Sequence, residues 1–167
     1  MAYRLSGGDP RSKTFDARRD HLRELTTQRP PPGMIAYVDG VPAGWLGFGP
    51  RPALHRLARS RTIPTVDEVP VWSVVCFNIR TGYRRHGVAR ALLAGVIDFA
   101  REAGAPGLEA YPVDAEGGRV DVSFGYVGFT SMFEAAGFER VLITGAHSAR
   151  RPRWLLRLMF TRTGRAA

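Results

Sequence analysis

The sequence has a single cysteine and few histidines, and this scarcity limits the chemistry open to it. Because Cys76 is the only cysteine, neither an intramolecular disulfide nor a cysteine-rich metal centre can form. The histidines show no metal-ligand spacing, so we predict no bound metal; they are His21, His55, His86 and His147. No run reaches the ~18 apolar residues of a membrane span, and the first residues lack the apolar core of a secretion signal. These absences predict a protein of the reducing cytoplasm.

Lysine is almost absent as well, because Lys13 is the only lysine among 24 basic residues. The formal net charge is still +9, carried by arginine. Such a surface attracts polyanions, acidic substrates or a coenzyme with several phosphates. The length of 167 residues suits one domain. We expect a loose segment over residues 1–13, the domain over 14–160 and a tail over 161–167.

A strand, a turn and an amphipathic helix follow one another between Val69 and Gly104. The run from Val69 to Ile79 is rich in β-branched and aromatic residues, which predicts a strand. After it, apolar residues recur at helical spacing and predict a buried face made of Val88, Leu92, Val96, Phe99 and Ala103. The first amides of a helix lack internal partners and lie at the positive end of its dipole, so this junction is suited to a phosphate. Neither a G-x-x-x-x-G-K-S/T loop nor a G-x-G-x-x-G fingerprint is present, which argues against the two common nucleotide loops.

The junction carries the short pattern Arg84-x-x-Gly87-x-Ala89. This pattern resembles the signature Gln/Arg-x-x-Gly-x-Gly/Ala of the GCN5-related N-acetyltransferases (GNAT), which bind the pyrophosphate of acetyl-coenzyme A. Downstream, the run from Met132 to Phe138 reads MFEAAGF and resembles the helix, Gly-Phe pair and strand of the same family. Together the two segments extend the resemblance over about residues 34 to 145.

The resemblance implies an α/β (α+β) fold with a mixed, mostly antiparallel sheet and helices on both faces. The family usually begins with a strand and one further helix, and neither is found at the start of this chain. The residues themselves predict helices at 15–26 (capped by Thr14), within 51–60, and from Thr130 or Ser131 to Gly137. They also predict strands at 34–38, 43–48, 108–113, 138–144 and 154–160, the last behind a basic linker of Arg150, Arg151 and Arg153.

By this resemblance the chain uses acetyl-coenzyme A as co-substrate and transfers the acetyl group directly to a primary amine of a small molecule or protein. The strand before the signature is expected to offer its main chain at Phe77 and Ile79 to the thioester and the pantetheine arm. The implied pyrophosphate loop comprises Arg84, Arg85, His86, Gly87, Val88 and Ala89. We expect no membrane partner, and the sequence does not decide between a monomer and a homodimer.

The proton-transfer groups depart from the family pattern. Many members have a tyrosine as general acid four residues before the glycine of the Gly-Phe pair, and this position holds Phe133. A phenyl ring donates no proton, so solvent or another group must protonate the leaving thiolate. Tyr126, Tyr111 and Ser131 are the candidates closest in sequence. An ammonium acceptor must also lose a proton to a base or a water chain, and Glu68, just before the strand, is the candidate base.

Acidic residues gather in the predicted long loop from Asp114 to Val127, which contains Asp114, Glu116 and Asp121 beside a Gly117-Gly118 pair. We expect this loop to cover the site and to attract a cationic amine.

Two other functions compete with acetyl transfer. Phe133 and the lack of an Asp or Glu on the strand suggest a catalytically impaired module that binds acyl-coenzyme A or has a regulatory role. The net charge suggests a nucleic-acid-binding protein, but the arginines are dispersed and no nucleic-acid motif accompanies them. An acyl-cysteine on Cys76 is not expected, since a buried strand thiol is usually inert.

Overall fold

The computed structural model describes residues 3–5, 8–115 and 125–161, which form one six-stranded sheet flanked by helices. The strands are β1 (Gly33–Val38), β2 (Val41–Pro50), β3 (Trp72–Ile79), β4 (Gly107–Ala110), β5 (Glu139–Ser148) and β6 (Arg151–Met159). The helices are α1 (Phe15–Thr26), α2 (His55–Ala58), α3 (Val88–Glu102) and α4 (Thr130–Glu134), with 3-10 turns at Pro10–Ser12, Arg51–Ala53, Thr81–Tyr83 and Gly125–Val127. No helix in these ranges is long and apolar enough to cross a membrane.

The sheet has the order β1-β2-β3-β4-β6-β5, and its neighbours are antiparallel except for β3 and β4. That one parallel pair follows from the connection through α3, because a helical crossover returns the chain in the same direction. The turn between β1 and β2 is the predicted one, with positive φ at Asp39 and Gly40. Before β1, the described residues contain one α-helix and no strand. The expected mixed, mostly antiparallel sheet is therefore confirmed.

Helix α3 covers one face of the sheet with the buried side chains Val88, Leu92, Leu93, Val96, Ile97 and Ala100. The predicted face was partly wrong at its far end. Phe99 is only half-buried, and Ala103 is exposed because it follows the last helical residue and no longer faces the sheet.

The opposite face carries a second core cluster, formed by Tyr3, Leu54, Leu57, Ile63, Val75, Tyr111 and Leu155. The expectation of a loose segment over residues 1–13 is thus wrong for Tyr3 and Leu5, whose side chains are buried. The predicted helix α1 is present, with the Thr14 hydroxyl accepting a bond from the amide of Ala17. However, α1 buries none of its residues, and Phe15 is 71% exposed instead of facing inward.

The C-terminal hairpin corrects another prediction. Arg151 and Arg153 belong to β6 and are not part of a linker, because β5 extends to Ser148 and the chain reverses at Ala149-Arg150. Both turn residues have positive φ, 51° and 62°. Such turns usually contain Asn or Gly, so the Ala-Arg sequence gave no turn signal.

Candidate active site

A cleft opens where β3 and β4 separate. The two strands pair only from Trp72 to Val74, and β3 continues to Ile79 after β4 has ended at Ala110. At this point the β2 partner changes register, with Phe48 opposite Val74 and Gly47 opposite Cys76, so that Val75 is an extra residue. Such a bulge bends its strand. Beyond Val74, one edge of β3 has no strand partner among the described residues.

The cleft is a cavity of about 390 Å³ between the end of β3 and the segment that leads into α4. Cys76, Phe77 and Ile79 line the β3 side, while Tyr126, Gly128, Phe129 and Met132 line the other side. It continues into a second cavity of about 490 Å³, which shares Ile79, Arg84, Ala89, Phe129 and Met132. We call the first cavity the apolar end of the cleft and the second its basic end.

The hydrogen bonds of β3 show which main-chain groups face the apolar end. The amide of Arg80 donates to the carbonyl oxygen of Ala43 at 3.0 Å, on the β2 side. Since the main-chain groups of successive strand residues point to alternate edges, Phe77 and Ile79 direct theirs away from β2. Their N–H and C=O groups therefore lie on the unpaired edge that borders the cleft.

The basic end lies before the first turn of α3. Gly87 is the N-cap residue, with φ of +80° and no capping side chain, and the first described helical bond runs from the Ala91 amide to the Gly87 carbonyl. A Cβ built on Gly87 would meet no atom within 4 Å, so the space before the helix is open. The amides of the first turn are consequently available to an anion from that side.

Arginines surround this helix start. The Nε of Arg84 donates to the carbonyl oxygen of Ile79 at 3.1 Å, which holds the guanidinium beside both cavities. Arg85 and Arg90 line the basic end too, and no Asp or Glu is among its lining residues in the described part of the chain. His86, in contrast, is exposed and lines neither cavity. The basic end is therefore suited to a ligand with several negative charges.

Four residues were predicted to transfer protons, and three of them, Tyr126, Ser131 and Glu68, are not brought together. Tyr126 is half-buried and lines the apolar end, whereas Ser131 is exposed and lines only the basic end. Glu68 is exposed and lines neither. It precedes β3, and an eight-residue strand spans roughly 26 Å at ~3.3 Å per residue. Glu68 is consequently at the wrong end of β3 to act as the base.

Tyr111 is also outside the cleft, in a buried polar network. Its hydroxyl donates to Glu109 Oε2 at 2.8 Å, accepts from Arg51 Nη1 at 2.6 Å and lies 2.9 Å from Ser73 Oγ. Glu109 is 1% exposed and also accepts bonds from Arg157. Burial, followed by the nearby Glu109 carboxylate, raises the pKa of Tyr111 well above its ordinary value. Tyr111 therefore stabilises the junction of β3 and β4 and cannot supply a proton to the cleft.

Phe133 is fully buried behind the cleft, where its ring packs edge-on against Phe77 and Phe138 at centroid distances of 6.0 and 5.1 Å. Gly128 allows this packing. A Cβ at Gly128 would lie 2.7 Å from the Phe133 ring, and the residue has a φ of +81°. The position at which the family resemblance implies a tyrosine is thus part of the core here.

The start of α4 corrects two further expectations. The N-cap is Phe129, without a capping side chain, so neither Thr130 nor Ser131 caps the helix. The Thr130 hydroxyl instead donates to Asp114 at 3.4 Å, and Arg140 donates to the same carboxylate at 2.7 Å. Asp114 is buried and neutralised by Arg140, which excludes it from the expected acidic patch. Glu116, Asp121 and the Gly117-Gly118 pair lie outside the described residues.

A third cavity, of about 410 Å³, was not foreseen from the sequence. Its lining includes Tyr3, Arg59, Tyr126, His147 and Arg153, which come from four separate segments of the chain. Only the folded topology brings these segments together, so no local pattern could have indicated the cavity. Within the described residues, no group of three or more His, Cys, Asp or Glu is arranged to hold a metal ion.

Several solved structures share the fold over most of the chain. A GCN5-related N-acetyltransferase from Kribbella flavida is 17% identical, with 95% of this chain and 84% of that one covered and a TM-score of 0.57. A ribosomal-protein-alanine N-acetyltransferase from Brucella melitensis is 17% identical, with coverage of 86% and 77% and a TM-score of 0.57. The NatC complex bound to Gag peptide and CoA is 16% identical, with coverage of 85% and 79% and a TM-score of 0.55. At these identities the likeness concerns the fold alone.

Comparison with curated protein sequences gives no match. The family comparison is more informative, because the model of the acetyltransferase (GNAT) family matches residues 3–116, well over half of the chain. This span contains β3, the loop at Arg84 and all of α3. The protein therefore belongs to the GNAT acetyltransferase family.

Proposed function

We propose that this protein is a cytoplasmic N-acetyltransferase that transfers the acetyl group of acetyl-coenzyme A directly to a primary amine. The observation that carries the proposal is the order of surfaces along the cleft. Three arginines and a helix N-terminus form one end, and an apolar space beside a free strand edge forms the other. Coenzyme A has a matching order, with phosphates at one end, amides in the middle and the thioester last. The NatC neighbour, which was solved with CoA, supports this choice of ligand.

In this proposal the pyrophosphate accepts hydrogen bonds from the first amides of α3, including those of Val88 and Ala89, and is neutralised by Arg84 and Arg85. The pantetheine amides pair with Phe77 and Ile79 as an added strand would. The two contacts together fix the position of the thioester. His86, which lies outside both cavities, has no part in this arrangement.

The chemistry then needs few side chains. The neutral amine attacks the thioester carbonyl, the new C–N bond forms and the C–S bond breaks. The amine proton leaves through water, since no carboxylate of the described residues lines the apolar end. Tyr126 lines this end, and in the proposal its hydroxyl gives its proton to the departing thiolate. Ser131, at the basic end, is assigned to phosphate binding and not to proton transfer.

A catalytically impaired module that binds acyl-coenzyme A is the second candidate. Two observations favour it: the buried Phe133 at the usual tyrosine position, and the lack of a carboxylate among the described residues of the apolar end. Such a module would use the same coenzyme contacts without turnover.

Two measurements test the proposal in sequence. Calorimetry with acetyl-coenzyme A should give a binding isotherm, and a thiol-release assay over a panel of primary amines should give acceptor-dependent turnover. Binding without release from any amine would select the second candidate. Absence of binding would refute both, because each depends on the same cleft.

A further inference from the structure

Arg153 is a buried arginine that donates hydrogen bonds only to neutral groups among the described residues. Its side chain lies in the 410 Å³ cavity and the residue is 5% exposed. The Nε donates to the Tyr111 carbonyl oxygen at 2.7 Å, and Nη1 donates to the Tyr3 hydroxyl. None of the ion pairs among the described residues includes Arg153.

This situation is costly in free energy. A guanidinium removed from water normally pairs with a carboxylate or phosphate, because hydrogen bonds to neutral groups only partly replace its hydration. Arg51 illustrates the usual solution, since it is equally buried and pairs with Glu109 at 3.1 Å. Arg4 is also buried with carbonyl partners only, but the cavity that it lines measures about 80 Å³. Arg153 differs because it borders a space large enough for a ligand.

The charged residues that line the rest of the cavity have the same sign. Arg59 lines it together with Arg153, and no Asp or Glu is among its lining residues in the described part of the chain. Hydroxyl groups complete the polar surface; they belong to Tyr3, Ser60, Thr62 and Tyr126. A cavity of this kind has a positive potential that concentrates anions.

The cavity adjoins the proposed coenzyme cleft at a single side chain. Tyr126 lines both, and its hydroxyl also interacts with that of Tyr3, the partner of Arg153. An acetyl group held at the apolar end beside Tyr126 would consequently face this cavity.

We propose that this cavity binds the acceptor, and that the acceptor is a small primary amine carrying a carboxylate or a phosphate group. The inference rests on the proposed function, because it names the acceptor of that reaction. The volume lies near the lower end of the range for small-molecule sites, which favours a small molecule over a folded protein. The planar fork of an arginine binds either anion with paired hydrogen bonds. This differs from the expectation of a cationic amine attracted by acidic loop residues, of which Asp114 is paired with Arg140 while Glu116 and Asp121 lie outside the described residues.

Matched acceptors test the charge requirement directly. Thiol release is measured with glycine against glycinamide for the carboxylate, and with 2-aminoethyl phosphate against ethanolamine for the phosphate. We expect kcat/KM to be at least tenfold higher for one anionic member than for its neutral partner, and the pair that discriminates identifies the anion. Equal values within both pairs would overturn the inference while leaving acetyl transfer intact.

Two exposed arginines provide a matched pair of variants. Arg59 lines the cavity, whereas Arg61 is exposed nearby and does not line it. Arg59→Glu should lower kcat/KM for the anionic acceptor at least tenfold, mainly through KM, and should leave acetyl-coenzyme A affinity unchanged. Arg61→Glu makes the same charge change and should stay within about twofold of the wild type. Equal losses in both variants would show a general effect of net charge and reject the cavity.

A binding measurement tests the inference even if the protein acetylates none of the four amines. Ligand-observed NMR with 2-aminoethyl phosphate and with glycine, each added to the coenzyme A complex, should detect binding that Arg59→Glu abolishes and Arg61→Glu retains. Binding that is absent, or equal in the two variants, overturns the inference. Failure of the proposed function would instead appear as absence of acetyl-coenzyme A binding, or as binding without thiol release from any amine of the panel, so the two failures are distinguishable.

Discussion

Arg84 is tied to the last residue of β3, because its Nε donates to the carbonyl oxygen of Ile79 at 3.1 Å. Arg84 also lines both ends of the cleft. Arg80 makes a similar bond, from Nη1 to the Pro42 carbonyl at 3.0 Å, but lines neither end of the cleft. Variants of the two arginines can therefore be compared. The comparison distinguishes a direct contact with the coenzyme from a general effect of positive charge.

Arg84→Gln should weaken acetyl-coenzyme A binding about tenfold, which corresponds to ~1.4 kcal/mol. The reason is the loss of a charge-assisted bond to phosphate. Calorimetry measures the dissociation constant, and Arg80→Gln serves as the control, with an expected change below about twofold. If both variants weaken binding equally, Arg84 has no specific role in holding the coenzyme.

Gly87 and Gly104 offer a second comparison, because their φ values are +80° and +77° and a Cβ at either would meet no atom within 4 Å. An aspartate has the same backbone strain at both positions, but only at Gly87 does its carboxylate face the proposed phosphate site. Gly87→Asp should raise the dissociation constant of acetyl-coenzyme A at least tenfold by charge repulsion, while Gly104→Asp should leave it unchanged. Thermal denaturation of both variants shows whether they remain folded. Unchanged affinity in folded Gly87→Asp would remove this loop from the site.

Local patterns predicted the elements of the coenzyme cleft well. The strand predicted over Val69 to Ile79 from its β-branched and aromatic residues is β3, which begins at Trp72, and helical periodicity predicted α3, which begins at Val88. The bulge at Val75 was not predicted, because register depends on the partner strand: nothing near Val75 in the sequence shows that Phe48 pairs with Val74 and Gly47 with Cys76. Yet this bulge accompanies the opening of the cleft. The shape of the site therefore depends on long-range pairing that local sequence does not reveal.

The errors in assigning side-chain roles have a similar cause. Thr130 has the residue type of a helix cap, but its hydroxyl donates to Asp114, a residue that is distant in sequence and buried beside it. Tyr3 lies in a stretch without periodicity, yet its ring is buried in the second core cluster. Arg153 was predicted to lie in a linker. Its burial depends on Tyr3 and Tyr111, which are distant in sequence, so no local pattern indicates it. In each case the partner, and not the residue type, decides the role.

The hydroxyl of Tyr126 is the proposed proton donor to the thiolate. Tyr126→Phe keeps the ring that lines the apolar end, and should lower kcat at least tenfold while acetyl-coenzyme A affinity changes less than about twofold. Ser131→Ala provides the contrast, because Ser131 lines only the basic end and should affect coenzyme binding and not kcat. Steady-state thiol release and calorimetry measure the two effects. A Tyr126→Phe enzyme with normal kcat would assign protonation of the thiolate to solvent.

Cys76 reports on occupancy of the apolar end, which it lines. Burial raises the pKa of its thiol, so less thiolate is present at neutral pH than in an exposed cysteine, and alkylation should be slow. The rate should rise as the pH increases toward the raised pKa, since only the thiolate reacts. Because this is the only cysteine, mass spectrometry follows iodoacetamide labelling without ambiguity. Coenzyme A should slow labelling in the wild type but not in Gly87→Asp, and equal rates with and without coenzyme A would remove Cys76 from the binding surface.

Phe133 occupies the position of the tyrosine that, by the family resemblance, many members use as general acid. Phe133→Tyr would introduce that residue. The Phe133 side chain is 0% exposed and contacts the rings of Phe77 and Phe138, so a hydroxyl added there would enter an apolar environment. Leaving it without a partner costs about 1–3 kcal/mol. Phe133→Tyr should therefore lower the free energy of unfolding by about this amount, measured by denaturant titration, and should leave kcat within about threefold. The apolar end is separated from this position by the Phe77 ring and by Gly128, whose Cβ direction points at Phe133 itself. A hundredfold gain in kcat, in the range of a positioned general acid, would contradict this and show that the native chain is an impaired form of a tyrosine-dependent enzyme.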